Sequence, residues 1–285
     1  MVEANVALPT GTKGVRVTGP DGKQVAAQVE GGKVLFLAKA PSVGYAVYDV
    51  EPAAESMPST LQVNLRAPGR GAANAAPTSL ENGRYRVTLD RNGDVASIFD
   101  KLVNRELLSA PIRLAISSDH PVYWPAWNMD FEQEQAPPRT FVRGAMARIK
   151  ENGAARVTVE VTRTNTEGSH FVSTVSLSAG DAGNRVEFGE SIDWKTLYSN
   201  LKATFPLAAN NEDATYNWGL GTVRRPNAAE RQFEVASHQW IDLTDRNGSF
   251  GATILTDCKN ASDKPNNKMC IRDRYLTGPA PIAIA

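Results

Sequence analysis

The sequence has little cysteine and no excess of charge of either sign. Only two of its 285 residues are cysteines, Cys258 and Cys270, and they form neither a C-x-x-C motif nor metal-ligand spacing. A disulfide framework is therefore not expected. The 31 basic and 31 acidic side chains leave a formal net charge of zero. Because binding to nucleic acid or to an anionic membrane is driven by a basic excess that displaces counterions, we expect neither partner.

Long apolar runs and helical periodicity are also missing. No segment approaches the roughly 18 apolar residues needed to span a bilayer, and the first residues lack the basic-then-apolar layout of a secretory signal. A long stripe of apolar residues at helical spacing does not occur either. The composition, 41% hydrophobic and 22% charged, is nevertheless that of a folded globular protein.

What the sequence does contain is the alternation typical of antiparallel β-strands. Val157, Val159 and Val161 alternate with polar residues, which gives a strand one apolar and one wet face. Its 22 glycines and 17 prolines are spread at short intervals, and the turn sequence Asp-Arg-Asn-Gly occurs twice, at Asp90–Gly93 and Asp245–Gly248. These patterns predict an all-β protein, an antiparallel β-sandwich preceded by a small β domain.

The chain divides into a small β domain, a linker and a larger β domain. Residues 51–79 are rich in alanine, proline, glycine and serine, and predict a linker with one short strand, Leu61–Leu65. Residues 80–268 repeat the strand pattern and predict the sandwich. Residues 1–50 predict a small meander, with strands at Gly14–Thr18, Gln24–Val29, Lys33–Ala38 and Tyr45–Val50.

One proline-interrupted loop, Ser118–Glu132, is the densest in chemically useful side chains. Aromatic faces pack on the C–H surface of a sugar while amides and carboxylates bind its hydroxyls, so the loop suits a carbohydrate ligand. An equally weighted alternative is that its aromatics plug the end of the sandwich. Three aromatic residues, Tyr123, Trp124 and Trp127, precede the amide of Asn128 and the carboxylate of Asp130 in this loop.

The acidic residues and the histidines give no complete catalytic set. Asp130, Glu132 and Glu134 alternate, so on a strand they project from one face. Paired carboxylates perform glycoside hydrolysis, but three adjacent like charges are more typical of a solvated edge, and we favour that interpretation. The three histidines, at positions 120, 170 and 238, show no metal-ligand spacing and are expected to be exposed or hydrogen-bonded.

An ordered series of segments resembles the C-terminal region of glycoside hydrolase family 38, the α-mannosidases of the cytosolic and bacterial type. Asp119–Asp130 is similar to the family's D-x-P-x-x-W-D-A-W-D stretch, with Pro125 and Asn128 where that pattern has acids. The small domain ends in a similar Pro41-x-x-Gly44-Tyr45-x-x-Tyr48 pattern. The other segments are Leu80–Val87, Gly93–Lys101, Arg105–Leu108, Asp193-Trp194, Leu201-Lys202, Phe205-Pro206, Gly221–Pro226, His238–Leu243 and Asp257–Lys259.

The resemblance implies the supporting part of a zinc-dependent retaining α-mannosidase. In the family, a preceding N-terminal catalytic domain supplies the zinc ligands, the nucleophile and the acid, so zinc is expected outside these residues and no catalytic residue within them. The implied partners are that catalytic domain and a mannose-containing oligosaccharide, and the family type favours the cytoplasm. The residues implied to face substrate are Tyr123, Trp127, Asn128 and Asp130.

A second interpretation remains open, and the tail is set apart from the rest. The chain could be a free-standing carbohydrate-binding or structural β-sandwich module without catalysis. Met269–Arg274 back-translates to a sequence resembling a transposon end used in sequencing libraries. Pro279 and Pro281 lack the backbone donor that a central strand uses. We therefore expect residues 269–285 to be an artificial end that adds nothing to the fold.

Overall fold

The computed structural model describes residues 1–66, 77–125, 128–226, 232–257, 260–265, 269–272 and 280–284. These residues form 26 strands, a short α-helix (α1, Phe131–Gln135) and a 3-10 turn at Gly180–Gly183. The all-β prediction is confirmed. Within the described ranges, no helix is long and apolar enough to cross a membrane.

The strands are numbered in chain order. The first eleven are β1 (Val2–Ala4), β2 (Gly14–Thr18), β3 (Gln24–Val25), β4 (Ala27–Glu30), β5 (Lys33–Phe36), β6 (Asp49–Ala53), β7 (Gln62–Asn64), β8 (Thr78–Glu81), β9 (Tyr85–Leu89), β10 (Val95–Asp100) and β11 (Arg105–Glu106). The next eight are β12 (Arg113–Ser118), β13 (Thr140–Phe141), β14 (Met146–Asn152), β15 (Arg156–Thr164), β16 (His170–Ser178), β17 (Val186–Asp193), β18 (Ser199–Phe205) and β19 (Ala214–Asn217). The last seven are β20 (Thr222–Arg225), β21 (Val235–Ser237), β22 (Trp240–Thr244), β23 (Gly251–Thr256), β24 (Asn260–Asp263), β25 (Met269–Arg272) and β26 (Ala280–Ile284).

Two three-stranded sheets, β1-β5-β4 and β3-β2-β6, form the small N-terminal part. Their apolar faces meet around Val17, Val34 and Phe36, and the ring of Tyr48 packs on Phe36. The predicted strand Tyr45–Val50 lies four residues later, as β6. Consequently the first residues of the segment predicted to be a linker belong to this sheet, where they pair with β2.

The larger part contains three antiparallel sheets. Their strand orders are β11-β10-β9-β8-β7, β13-β12-β18-β25-β24-β21 and β14-β15-β16-β17-β26-β23-β22-β19-β20. Val157, Val159 and Val161 are fully buried on the inner face of the nine-stranded sheet, as their alternation predicts. Phe188 of this sheet meets Phe205 of the six-stranded sheet edge to face, with ring centroids 5.9 Å apart. These contacts make the core of a sandwich.

The repeated Asp-Arg-Asn-Gly sequence forms a three-residue hairpin loop rather than a two-residue one at its first copy. The Gly93 amide donates to the Asp90 carbonyl at 3.1 Å, and the Asp90 amide donates to the Asp94 carbonyl at 2.9 Å. Gly93 has φ +76°, and a Cβ there would lie 2.5 Å from Val161 Cγ1. Glycine is required on both grounds, because a side chain would be strained in this conformation and would collide with the core.

A buried polar network crosses the sandwich beside this hairpin. Arg163 donates through Nη1 to Asp94 Oδ1 at 2.9 Å and through Nη2 to Ser173 Oγ at 2.8 Å, and the Ser173 hydroxyl donates to Glu190 Oε2 at 2.8 Å. Arg113 lies 3.5 Å from Asp94. Burial raises the pKa of Glu190 to about 7 and that of Asp94 to about 6, although Arg163 opposes both shifts. Desolvation therefore outweighs the ion pairs here.

The C-terminal segment takes part in the fold, although the sequence predicted that it would not. β25 and β26 are both strands, and β26 lies between β17 and β23, where Pro281 is opposite Gly189. Ile284 is fully buried. The expectation that the prolines keep this segment out of a central strand is wrong, because a missing proline donor removes one ladder bond while the neighbouring residues still pair. The artificial origin of residues 269–285 stays a prediction.

Removing the last strand tests its contribution. Deleting residues 280–285 exposes the pocket of Ile284 and two strand edges. We expect the free energy of unfolding to fall by more than about 2 kcal/mol, since burying one isoleucine contributes about 1.5–3 kcal/mol. Denaturant unfolding of the two chains measures this. A melting temperature within a degree or two of the intact chain would instead support an artificial end.

The Glu190→Gln variant tests the buried network through pH. An unfolded glutamate titrates near 4.5, whereas folded Glu190 keeps its proton up to about pH 7. The folded state is therefore favoured at low pH, and this advantage is lost as pH rises from about 4.5 to about 7. Between pH 5 and 8, the free energy of unfolding should therefore fall by about 1–3 kcal/mol less in the variant than in the unchanged protein. Glu187→Gln, on the same strand and paired with Arg185, is the control; equal pH profiles in both variants would contradict the assignment.

Candidate functional site

The predicted sugar-facing loop follows β12 and ends at α1. Tyr123 is 73% exposed and Trp124 is 76% exposed, and Val122 beside them is also exposed. These side chains do not plug the end of the sandwich, which was the alternative interpretation of the loop. Trp127 lies outside the described residues.

Asn128 and Asp130 lie together at the end of this loop. Asn128 Nδ2 donates to Asp130 Oδ1 at 3.2 Å, and Gln133 Nε2 lies 3.5 Å from Asp130 Oδ2. The amide and the carboxylate therefore sit close enough for neighbouring hydroxyls of one ligand. Asn128 is exposed and Asp130 is partly exposed, so both are accessible from solvent.

Hydrogen bonds join the start of this loop to α1. The Gln133 side chain of α1 binds the backbone of His120. Its Oε1 accepts from the His120 amide at 2.8 Å, and its Nε2 donates to the His120 carbonyl at 3.0 Å. Within the loop, the Asn128 amide donates to the Trp124 carbonyl at 2.8 Å. Tyr123 and Trp124 therefore lie beside backbone groups of His120 and Trp124 that are hydrogen-bonded.

A second exposed loop, between β17 and β18, touches the first. The Asp119 amide donates to the Tyr198 carbonyl at 3.0 Å, and the Tyr198 ring meets His120 edge to face with centroids 4.5 Å apart. Leu197 and Tyr198 are exposed. Sequence analysis missed this second loop, because nothing in its residues indicates which other loop it contacts.

The two loops share an unusual backbone feature. Trp124 has φ +56° and Tyr198 has φ +50°, a region that bulky residues rarely adopt. Such conformations cost about 1–3 kcal/mol each and cluster at sites where the strain serves binding or catalysis. The exposed apolar residues of these two loops are hereafter called the aromatic edge: Val122, Tyr123, Trp124, Leu197 and Tyr198.

The acidic residues after the loop do not form a solvated strand edge. Residues 131–135 are helical, with Asp130 at the N-cap position, so Asp130, Glu132 and Glu134 do not share a strand face. The Glu134 side chain is only 3% exposed and pairs with Lys202. The alternation prediction is wrong here because tertiary contacts of a five-residue turn override a two-residue period.

Lys202 lies at the centre of a buried cluster under α1. Its ammonium contacts Glu134 and Asp263, and Glu234 Oε2 lies 3.8 Å away. Asn200 Nδ2 donates to Glu134 Oε1 at 3.0 Å. Burial by itself lowers the pKa of Lys202, but Asp263 and Glu134 outweigh it, so the pKa of Lys202 lies above its ordinary value. The lysine is therefore charged at neutral pH.

The histidines make other contacts, and a metal has no set of ligands in the described ranges. His120 packs on Tyr198, His170 Nδ1 lies 3.2 Å from Thr164 Oγ1, and His238 stacks on Trp218. Among the residues that the structure describes, no group of three His, Cys, Asp or Glu side chains could hold a metal ion. These residues do not fit a zinc ion.

A separate groove lies on the nine-stranded sheet, away from these loops. Its volume is about 470 Å³ and it crosses the face of the nine-stranded sheet formed by β14–β17 and β23. Its cations are paired, Arg156 with Glu151, Arg185 with Glu187 and Lys150 with Glu160. Phe188 lines it but is buried against Phe205, and no predicted site residue lines it, so it offers less to a sugar than the aromatic edge does.

Comparison with solved structures supports the fold. A glycosyl hydrolase family 38 protein from Enterococcus faecalis superposes with a TM-score of 0.70 at 14% identity, covering 97% of this chain and 39% of that one. An alpha-mannosidase from the same organism gives a TM-score of 0.67. At this identity, the likeness shows the fold alone.

Sequence comparison identifies the family. The chain is 29% identical to human alpha-mannosidase 2C1 over 240 residues, covering 80% of this chain and 22% of that protein. It is 27% identical to the alpha-mannosidase of Saccharomyces cerevisiae over 210 residues, with 67% and 19% covered. The chain thus spans about a fifth of the curated relatives that it matches. Because residues 80–271 match the glycosyl hydrolases family 38 C-terminal domain, the chain belongs to glycosyl hydrolase family 38.

Proposed function

We propose that this chain is the C-terminal, non-catalytic portion of an α-mannosidase that hydrolyses terminal α-mannosyl linkages with retention. Its role is to support the N-terminal catalytic domain and to form part of the wall of the substrate cleft. The ligand is a mannose-containing oligosaccharide. Family membership and two relatives named as alpha-mannosidases support the substrate class.

The aromatic edge is the observation that carries the cleft assignment. Five apolar side chains, including three aromatic rings, remain exposed on two hydrogen-bonded loops. Large exposed apolar patches mark binding surfaces, and rings stack on sugar C–H faces. Asn128 and Asp130 follow on the same loop and supply an amide and a carboxylate for hydroxyl groups. This combination suits a saccharide bound at the boundary with a second domain.

Catalysis in this proposal belongs to residues outside the chain. Retaining hydrolysis needs two carboxyl groups about 5–5.5 Å apart across the scissile bond. Glu134 and Asp263 are turned inward to Lys202, and Asp130 bonds to Asn128. Zinc, where the complete enzyme binds it, is held by the catalytic domain.

Substitutions in the loop test the cleft assignment in the complete protein. Trp124→Ala and Asp130→Asn should each lower kcat/KM about 10–100-fold, because contacts made to the reacting sugar are removed. Melting temperature should change little, since both side chains are accessible. Leu102→Ala, at an exposed apolar residue of the β10–β11 connection, is the control. Wild-type kinetics in both loop variants would refute the assignment.

The isolated chain tests the non-catalytic role. We expect no mannoside hydrolysis and no stoichiometric zinc from purified residues 1–285, because the described residues offer no metal-ligand set. Turnover of a mannoside substrate and metal content are the measurements. Activity that is lost with a chelator and restored by zinc would overturn this proposal. Binding of mannosides without turnover, by a chain that proves complete, would favour the free-standing module.

A further inference from the structure

We propose that Lys202 is a positioning residue that holds the aromatic edge in place through Glu134 and α1. The inference rests on the proposed function for its consequence on substrate binding, but its structural part is independent of that function. The Lys202 ammonium binds Glu134 and Asp263, which lie outside the loop. It acts through Glu134 and Gln133 of α1.

The first step is the burial of the cluster. Lys202 is 7% exposed, Glu134 is 3% exposed, and Glu234 and Asp263 are also buried. Three carboxylates converge on one ammonium group where water cannot screen their repulsion. Each carboxylate is therefore held in place by Lys202 more strongly than a surface ion pair holds its members.

The three carboxylates come from different structural elements. Asp263 ends β24 and Glu234 immediately precedes β21, and both strands belong to the six-stranded sheet. Glu134 comes from α1, which belongs to no sheet. Lys202 on β18 thus joins the helix to the sheet, and Asn200 on the same strand adds a second bond to Glu134. Phe131 of α1 packs on Phe233 beside it.

Hydrogen bonds connect α1 to the loop. Gln133 is the residue before Glu134, and its side-chain amide holds the backbone of His120 with two hydrogen bonds. His120 in turn packs on Tyr198. Because Gln133 and Glu134 belong to the same helical turn, fixing Glu134 also fixes Gln133. The two loops that form the aromatic edge then keep their positions relative to each other. Without the anchor, a helix of five residues is too short to persist by itself.

The experiment compares Glu134→Gln with Glu234→Gln in the complete protein. Each variant removes one carboxylate charge from the same cluster, but only Glu134 is itself a residue of α1. Both retain the lysine, which avoids leaving three buried carboxylates without a cation. Hydrogen exchange at the His120 and Asn128 amides reports on the loop, since both amides are bonded there. The Val142 amide, bonded to the Leu114 carbonyl, reports on the sandwich.

We expect Glu134→Gln to speed exchange at His120 and Asn128 about tenfold or more relative to Val142, and Glu234→Gln to leave that ratio unchanged. KM for a mannoside should rise several-fold in Glu134→Gln, with a smaller change in kcat. Equal exchange ratios in the two variants, or no change in Glu134→Gln, would overturn the positioning role. Faster loop exchange with unchanged KM would uphold the positioning role and count against the cleft assignment, so the two failures are distinguishable.

Discussion

The rest of the structure depends on the two-residue period of its strands. On β18, Leu201 and Phe205 point into the sandwich, whereas Asn200 and Lys202 point to the opposite face. A shift of one residue would place the lysine in the apolar core and the phenylalanine outside. With Phe205 packed on Phe188 in the core, the register of β18 places Lys202 on the opposite face. The same register therefore determines where the polar cluster forms and where α1 docks.

Two of the buried polar networks differ in electrostatic balance. Around Arg163, desolvation dominates and raises the pKa values of Asp94 and Glu190 towards neutrality. Around Lys202, the carboxylates dominate and keep the lysine charged. Both networks are costly to break, because removal of one partner leaves buried charge uncompensated. The first joins strands to one another, whereas the second joins a helix to a sheet, which is why only the second bears on the loop.

The aromatic edge combines exposure with order. Its side chains lie in solvent, yet Gln133 and the Asp119–Tyr198 hydrogen bond hold the backbone on which they stand. Preorganised contacts of this kind lose less conformational entropy when a ligand binds.

The alternation of Val157 to Val161, the repeated turn at Asp90–Gly93 and the ordered family segments determined the all-β fold and the family from sequence alone, because each is a local pattern with a local physical cause. The same patterns placed Tyr123, Asn128 and Asp130 on one loop. Residue types there could not show whether the aromatic rings were buried or exposed.

Only the tertiary structure decided which distant residues meet. Lys202 and Asn200 look in sequence like the wet face of any strand, and Glu134 looks like one of three solvated acids. Their burial comes from α1 folding back onto β18, across more than 60 residues of chain. The Tyr198 loop likewise meets the Tyr123 loop through a hydrogen bond from the Asp119 amide to the Tyr198 carbonyl. A two-residue period tells which side of a sheet a residue faces; what covers that side depends on long-range packing, which no local pattern contains.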